Sequence, residues 1–334
     1  MSLIRRHFLE VSAIAISFPF MAGIGPAQHN SKIPRLGVIL NGGPGPLFDK
    51  LRESFEKLGY VEGQNIVFEP RFAEERLDRV PDFAAELIRL NVDVIVAVGI
   101  VGARAAQKAT TRIPIVFAMV VDPISVGIVK TLEQPGGNIT GISSFDPQQP
   151  MKQFELLKAV IPKLARVAIL SDPDIPHSDA DPRWSPIERA NDSAARALGL
   201  QPQWLRVKGV KPDLDSAFAA MLMEGAGALV VLEVPATRRH QISIAQLATK
   251  HRLPTMFPGD WQAAGGLISY GTSIVNTFPR LAEYVDKVLK GIKPADLPVE
   301  INTKHRLVFN LKTARAIGLT ISPYLLKRAN QVIE

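Results

Sequence analysis

The sequence predicts an α/β fold of two similar, doubly wound parallel-sheet domains joined by a hinge of several strands. Three observations predict it. The chain repeats itself, apolar strands alternate with amphipathic helices, and linkers rich in Gly and Pro follow the first copy. At 334 residues the chain also exceeds the usual size of a single hydrophobic core, which favours two domains.

The internal repeat consists of four pairs of segments that recur in the same order. In chain order they are KIPRLGVIL (32–40) with KLARVAIL (163–170), LGY (58–60) with LGL (198–200), FAAELIRLNVDVIVAV (83–98) with FAAMLMEGAGALVVLE (218–233), and AQKATTRIPIVF (106–117) with AQLATKHRLPTMF (245–257). One such pair is weak evidence, but four in the same order indicate a duplicated domain.

The strands of each copy are apolar and show little alternation, which is typical of strands buried on both faces. The first copy supplies RLGVIL (35–40), NIVFEP (65–70), DVIVAVG (93–99) and IPIVFAMV (113–120). The second copy supplies RVAIL (166–170), QPQWLRV (201–207), ALVVLE (228–233) and LPTMFP (253–258). Alternation of such strands with helices implies a parallel sheet with right-handed crossovers.

The first helix illustrates the amphipathic pattern. In LFDKLRESFEKLGY (47–60) the apolar residues Leu47, Leu51, Phe55 and Leu58 share one face. Gly59 then stands where a glycine that ends a helix is expected.

Three segments are predicted to cross between the domains: 135–150, 265–271 and 297–311. They suit a hinge that bends without letting the domains separate. The helix TFPRLAEYVDKVLKG, which follows the second crossing, is expected to return to the first domain. The predicted N-terminal domain therefore spans 32–142 and about 271–296, and the C-terminal domain spans 147–268 and about 300–334.

Residues 1–27 are predicted to be an export signal peptide. IRRHFLE (4–10) precedes the uncharged run VSAIAISFPFMAGIG (11–25), and cleavage is expected near Ala27. Arg5-Arg6 followed by Phe8-Leu9 resembles a twin-arginine signal, and the general secretory route stays open. The chain has no cysteine, so a lipid-modified cysteine, disulfides and thiolate metal sites are excluded. We therefore expect a periplasmic protein with no membrane anchor, and a monomer.

The net charge of +7 is spread along the chain, without a run of Lys and Arg that could follow a nucleic-acid backbone, so no nucleic-acid partner is expected. The sequence also lacks a phosphate-binding loop, a dinucleotide fingerprint, a nucleophile elbow and His residues at metal-binding spacing. We expect no enzyme activity, no cofactor and no metal. The acidic segment 171–182 could suggest a cation, but its three Pro residues favour a solvated loop.

Ligands of open parallel sheets bind beyond the carboxyl ends of the strands, so two facing domains would share one cleft. The strand ends and the crossings supply the candidate ligand-binding residues Asn41, Gly42, Gly99, Ile100, Met119, Asp122, Ser143, Ser171, Asp172, Glu233, Asp260, Trp261 and Tyr270. Their chemistry suits a small solute with a carboxylate or an amine. Structural alternatives remain open: 41–43 as a plain turn, Asp122 as a helix cap, and Trp261 and Tyr270 as core residues.

Seven segments, which together extend over nearly all of 32–334, carry a family resemblance. They are LGYVEGQNIVFEPRFAE, AAELIRLNVDVIVAVG, IPIVFAMVVDPISVGIVKTLEQPGGNITGIS, HRLPTMFP, AGGLISYG, VDKVLKGIKPADLPVE and FNLKTARAIGLTISPYLL. They resemble the ABC transporter substrate-binding proteins of the type-1 periplasmic-binding fold, in the branch that includes tryptophan- and tyrosine-uptake components. The resemblance implies capture of a small solute by cleft closure and delivery to a membrane permease with its ATPase, without chemistry on the solute.

Two departures from the family pattern make the wall of the first domain more apolar. Ile100-Val101 stand where relatives tend to carry a small hydroxyl residue, and Val121 where they often carry Gly. An aromatic or branched carboxylate is therefore expected rather than a polar amino acid. Two alternatives remain: a periplasmic receptor that passes the state of its ligand to a membrane sensor, and an exported enzyme that uses Asp122, Asp172 or Asp260 as acid–base groups.

Overall fold

The computed structural model describes residues 32–74, 76–144, 146–173, 183–209, 211–259 and 264–334. Within it, Ile33–Glu334 form one compact unit. The predicted export signal lies outside the described residues. In the part of the chain that is described, no helix combines the length and apolarity that crossing a bilayer requires.

The first half of the unit alternates strands and helices. Its elements are β1 (Arg35–Leu40), α1 (Pro46–Glu56), β2 (Val67–Phe72), α2 (Val80–Arg89), β3 (Val94–Val98), α3 (Ile100–Ala109), β4 (Ile115–Val120) and β5 (Ile139–Ser143). The second half repeats the plan with α4 (Gln149–Val160), β6 (Arg166–Ser171), α5 (Pro186–Ala197), β7 (Gln201–Arg206), α6 (Leu214–Met223), β8 (Leu229–Val231), α7 (Pro235–Arg239), α8 (Gln241–Lys250), β9 (Thr255–Phe257) and β10 (Ile268–Thr272). The last part holds α9 (Ile274–Leu289), β11 (Glu300–Ile301), β12 (His305–Asn310), α10 (Leu311–Ile317), α11 (Pro323–Leu326) and β13 (Gln331–Ile333).

The strands form two sheets of matching order. The first sheet runs β11-β5-β4-β3-β1-β2, and the second runs β13-β12-β10-β9-β8-β6-β7. Strands β1–β5 and β6–β10 therefore occupy equivalent positions, and every pairing is parallel except that of β10 with β12. The predicted fold of two similar doubly wound α/β domains is confirmed. We call the first sheet with its helices the first lobe, and the second sheet with its helices the second lobe.

Both faces of each sheet are buried, which explains the continuous apolar strands. In β1, Leu36 and Val38 pack against α1 and α9, whereas Ile39 packs on the opposite face against α2 and α3. All three side chains are fully buried. Helix α9 thus completes the core of the first lobe, with Phe278 and Leu281 fully buried beneath the sheet.

The chain crosses between the lobes within the first and third predicted segments, whereas the second crossing follows 265–271, because Ile268–Thr272 form β10 of the second sheet and the chain passes to α9 at Ser273. The third segment, predicted as one strand over 297–311, is divided in two. Strand β11 pairs with β5 of the first sheet, and β12 pairs with β10 of the second. A turn separates them, in which the backbone N–H of Lys304 donates to Oδ1 of Asn302 at 3.1 Å. This polar turn lets one segment serve both lobes.

Two local predictions differ from the structure. Helix α1 ends at Glu56, so Leu58 is not on its buried face and is 41% exposed. Gly59 closes the helix with φ +87° and an N–H bond to the carbonyl of Glu56 at 2.9 Å. Strand β2 begins two residues later than predicted because Oδ1 of Asn65 accepts from the N–H of Val61 and holds a turn there.

Candidate functional site

An open cleft lies where the strand ends of the two lobes meet, and its empty space, with the solvent at its mouth included, is about 1100 Å³. We call it the apolar chamber. Its lining comprises Leu40, Asn41, Gly42, Leu47, Leu77, Val98, Gly99, Ile100, Val101, Met119, Val121, Val126, Ser185, Pro186, Ile187, Glu233, Val234, Pro235, Arg238 and Ile274. The first lobe supplies most of the aliphatic wall, from the ends of β1, β3 and β4 and the start of α3. The apolar wall suits a small solute with a bulky hydrocarbon or aromatic part.

The charged side chains of the apolar chamber come from the second lobe. Among the described residues that line it, Arg238 is the one cation, and its guanidinium donates to a carboxylate oxygen of Glu233. Both residues follow β8 directly, because α7 begins at Pro235 and places Arg238 one turn later. The first residues of α3, Ile100 and Val101, line the same chamber. A helix N-terminus carries partial positive charge, so both features favour an anionic group.

A smaller second cleft adjoins the first, with about 580 Å³ of empty space when its open solvent is included, and we call it the polar chamber. Its lining comprises Met119, Val121, Ser144, Asp146, Gln149, Pro150, Gln153, Ile187, Asn191, Val231, Leu232, Glu233, Pro258 and Thr272. The two chambers share Met119, Val121, Ile187 and Glu233. The cleft is therefore bipartite, with an aliphatic part on the side of the first lobe and an amide- and carboxylate-bearing part beside α4 and α5.

Asn41 and Gly99 meet at the wall of the apolar chamber. Gly99 has φ +88° and ψ 164°, a backbone region open essentially to glycine alone. Its N–H donates to the carbonyl of Ala118 at 2.8 Å, which ties the start of α3 to β4. The Oδ1 atom of Asn41 is buried and has no hydrogen-bond partner among the described residues. This acceptor is available to a donor on a ligand.

Met119 sits at an irregularity of β4 that turns its side chain toward both chambers. The register between β4 and β5 shifts between Ala118 and Val120, and Met119 adopts φ +59°. A left-handed backbone costs a non-glycine residue free energy, and such strain concentrates at binding sites. Asp122 also has a positive φ of 43°, but its Oδ1 accepts from the N–H of Ser125 at 3.1 Å. Asp122 thus acts as a local cap, and it is not part of either lining.

The structure brings six of the predicted residues into the linings: Asn41, Gly42, Gly99, Ile100, Met119 and Glu233. Three further predicted residues lie outside the linings and are engaged elsewhere. The hydroxyl of Ser143 donates to the carbonyl of Val120 at 2.8 Å, Asp172 accepts from the N–H of Ala236 at 3.2 Å, and the Tyr270 ring stacks on His305 at 5.1 Å.

Ser171 is fully buried, and its Oγ has no hydrogen-bond partner among the described residues. Asp260 and Trp261 lie outside the described residues. The contact of the whole predicted set with a ligand stays a prediction.

Sequence reasoning missed the contribution of α5 and α7. Ser185, Pro186 and Ile187 line the apolar chamber, and Asn191 lies one turn further along α5 and lines the polar chamber. The signal was present in Ser185-Pro-Ile-Glu188, where the side chain of Ser185 accepts from the N–H of Glu188 and the carboxylate of Glu188 accepts from the N–H of Ser185. Such a capping box marks a helix start, here the one that follows strand β6.

Three residues cluster where the crossings converge. Nε2 of His305 lies 3.5 Å from a carboxylate oxygen of Asp146, and the Tyr270 ring stacks on the imidazole. Burial lowers the pKa of His305 below its ordinary value of 6.5, and the Asp146 carboxylate opposes this shift.

A hydrogen bond links the two lobes directly. Nη2 of Arg239 in the second lobe donates to the carbonyl of Glu74 in the first, at 2.8 Å.

Comparisons with known proteins give consistent findings. Residues 47–333 match the family model of ABC transporter substrate binding proteins. A tyrosine-binding protein of Clostridioides difficile strain R20291 is 25% identical over 284 residues, which cover 82% of this chain and 78% of that protein.

Two solved structures have a TM-score of 0.81 and cover 90% of this chain and 100% of their own. One is a conserved domain protein of Vibrio cholerae at 25% identity, and the other is an ABC domain from Streptococcus pneumoniae in complex with L-Trp at 24% identity.

Proposed function

The chain belongs to the ABC transporter substrate-binding protein family, and on that premise we propose that it captures a small carboxylate-bearing solute in the cleft between its lobes. The solute is an aromatic or branched amino acid or an aromatic acid. The protein then delivers it to a permease and its ATPase.

The observation that carries this proposal is the pairing of an aliphatic wall with a localised positive site. Ile100, Val101 and Val121 line the apolar chamber, where burial of a ring or branched chain is favourable. The start of α3 carries partial positive charge, and the guanidinium of Arg238, which is ion-paired with Glu233, has further N–H donors for a carboxylate. The relative named for tyrosine binding supports an aromatic solute.

Capture by closure is the proposed mechanism. The divided domains, 32–142 with about 271–296 and 147–268 with about 300–334, would move about the three crossings and enclose the solute. The bond from Arg239 to Glu74 supports an arrangement in which the lobes touch. A solute that binds the closed state more tightly than the open state shifts the protein toward closure.

No chemical step on the solute is part of the proposal. The carboxylates of Asp122 and Asp172, the acid–base candidates among the described residues, accept backbone N–H bonds from Ser125 and Ala236. A carboxylate engaged in this way is stabilised as a capping group. We further propose a monomeric periplasmic protein, exported through a signal peptide over residues 1–27, with no membrane anchor.

A thermal-shift screen followed by titration calorimetry tests the proposal. Aromatic and branched amino acids and aromatic acids are added to the purified chain. The true solute is expected to stabilise it by about 2.7 kcal/mol at a hundredfold excess over Kd. Failure of every compound in these classes to raise the melting temperature at millimolar concentration would show the proposed function to be wrong.

The Ile100→Ala variant tests the location of the site. Loss of apolar contact is expected to weaken binding of the best solute by about 1 to 2 kcal/mol, or roughly five- to thirtyfold. Ile124→Ala is the matched control, because Ile124 is 45% exposed and outside both linings. Equal affinities for the two variants would place the solute elsewhere.

A further inference from the structure

The polar chamber has a chemistry that solute capture in the apolar chamber does not use. Its described lining holds two carboxylates, Asp146 and Glu233, and no Lys, Arg or His. The amide side chains of Gln149, Gln153 and Asn191 and the residues Ser144 and Thr272 complete the polar part of the lining. Glu233 is ion-paired with Arg238, so the negative charge that this lining offers to a ligand comes from Asp146.

Asn191 provides the most specific sign of a ligand. The residue is 1% exposed, and its Nδ2 donates to the carbonyl of Ile187 at 2.8 Å. This bond determines the orientation of the amide, because the opposite orientation would place Oδ1 against a carbonyl oxygen. Oδ1 of Asn191 is consequently a buried acceptor, and it has no partner among the described residues. A buried polar atom without a partner carries a free-energy cost unless something donates to it.

Asp146 adds charge to this acceptor set. One of its oxygens accepts from the N–H of Gln148 at 2.8 Å, and Oδ2 lies 3.5 Å from Nε2 of His305. Burial favours the neutral form of His305, which leaves the Asp146 charge without full compensation from that ring. An occupant that both donates hydrogen bonds and carries positive charge would satisfy Asp146 and Asn191 together.

We propose that the polar chamber is a subsite for an ammonium group, with Oδ1 of Asn191 and the Asp146 carboxylate as its acceptors. This inference rests on the proposed function and narrows its solute to an amino acid. The bulky side chain occupies the apolar chamber, the carboxylate faces Arg238 and the start of α3, and the ammonium group points past Met119 and Glu233 into the polar chamber. A neutral hydroxyl or amide donor would leave the negative charge of Asp146 without a positively charged partner.

A comparison of amino acids with their deaminated analogues tests the subsite. L-Tryptophan is titrated against indole-3-propionate, L-tyrosine against 3-(4-hydroxyphenyl)propionate, and L-leucine against 4-methylpentanoate. Each pair keeps the carboxylate and the apolar part and differs in the ammonium group. For the solute that the protein prefers, the amino acid is expected to bind about 10- to 100-fold more tightly, the range of charge-assisted hydrogen bonds.

Two variants assign the preference to the chamber. Asp146→Asn keeps the shape and the acceptor for Gln148 but removes the charge, and should reduce the ratio of affinities at least about fivefold. Asn191→Ala should reduce it similarly. Circular-dichroism melts confirm that both fold. Asp213→Asn is the matched control, because Asp213 likewise accepts a backbone N–H bond, from Ser216 at 3.0 Å, and lies outside both linings.

The outcomes separate the two proposals. Equal binding within a pair, or tighter binding of the deaminated acid, overturns the ammonium subsite and leaves the proposed function standing. A ratio that is unchanged in Asp146→Asn and Asn191→Ala, or lowered equally in Asp213→Asn, also overturns the subsite. Binding of neither member of any pair, with no response to aromatic acids, overturns both.

Discussion

The side-chain amide nitrogen of Asn41 lies 2.9 Å from the point where a Cβ atom on residue 99 would stand. Residue 99 is therefore restricted to glycine twice, by its backbone angles and by the side chain beside it. The absence of a Cβ atom at Gly99 leaves room for the side chain of Asn41, whose Oδ1 is one of the buried acceptors of the cleft. A substitution at Gly99 is therefore expected to affect both the stability of the fold and the binding of a ligand.

Gly99→Ala is expected to lower the free energy of unfolding by about 1–3 kcal/mol, the cost of forcing this backbone region on a residue with a Cβ atom. It should also weaken solute binding, because Asn41 must move. Urea denaturation and calorimetry measure the two effects. Gly45→Ala is the matched control, since Gly45 has φ 147° and ψ −158° with nothing within 4 Å of an added Cβ. We expect it to lose stability but keep its affinity; wild-type affinity in Gly99→Ala would contradict the role of Asn41.

Arg239 is expected to favour contact between the lobes through its bond to the carbonyl of Glu74. Arg239→Gln should shift the ligand-free protein toward a more open shape in small-angle X-ray scattering and weaken solute binding about two- to tenfold, the range for one hydrogen bond, here an exposed one. Arg52→Gln is the control, because Arg52 pairs with Glu56 on the same helix at 3.9 Å. If both variants scatter like the wild type and bind equally, the contact does not influence closure.

The stability of the protein should fall as the pH falls through 6.5. The pKa of His305 is lower in the folded protein than its ordinary value of 6.5 because the ring is buried between Tyr270 and Asp146. The unfolded chain therefore binds the proton at higher pH than the folded one. Stability from the neutral ring is fully present above pH 6.5 and is lost between 6.5 and the lower folded pKa.

Melting temperatures recorded against pH for wild type and His305→Gln measure this dependence. The substitution should flatten the decline, whereas His251→Gln, which replaces a ring stacked on Phe218, should leave it unchanged. A decline of the same steepness in all three proteins would assign it to other groups.

The fold was accessible from the sequence because the repeated segments coincide with equivalent elements. AQKATTRIPIVF covers the end of α3 and the first half of β4, and AQLATKHRLPTMF covers the second half of α8 and all of β9. Strands that are buried on both faces lack the alternation of apolar and polar residues, so a short continuous apolar run indicates such a strand. The one antiparallel pairing, β10 with β12, was not foreseen because the direction of a crossing segment depends on a turn at Asn302.

Only part of the candidate site could be predicted from the sequence. The strand-end rule locates Asn41, Gly99 and Met119 because they directly follow or end a strand. It cannot locate Asn191, which lies a full turn inside α5 and reaches the polar chamber through the direction of that helix. Which buried atoms lack partners depends on three-dimensional packing, so the acceptors of Asn41 and Asn191 have no signature in the residue order.

Helix α9 has a consequence for how the chain folds. The first lobe ends its fifth strand at Ser143, yet the helix that covers one face of its sheet starts at Ile274, after the whole second repeat. At ribosomal speeds the delay is on the order of ten seconds. During that time Leu36, Val38 and Phe55 lack their final cover, so a nascent first lobe exposes part of its apolar core until α9 has been synthesised.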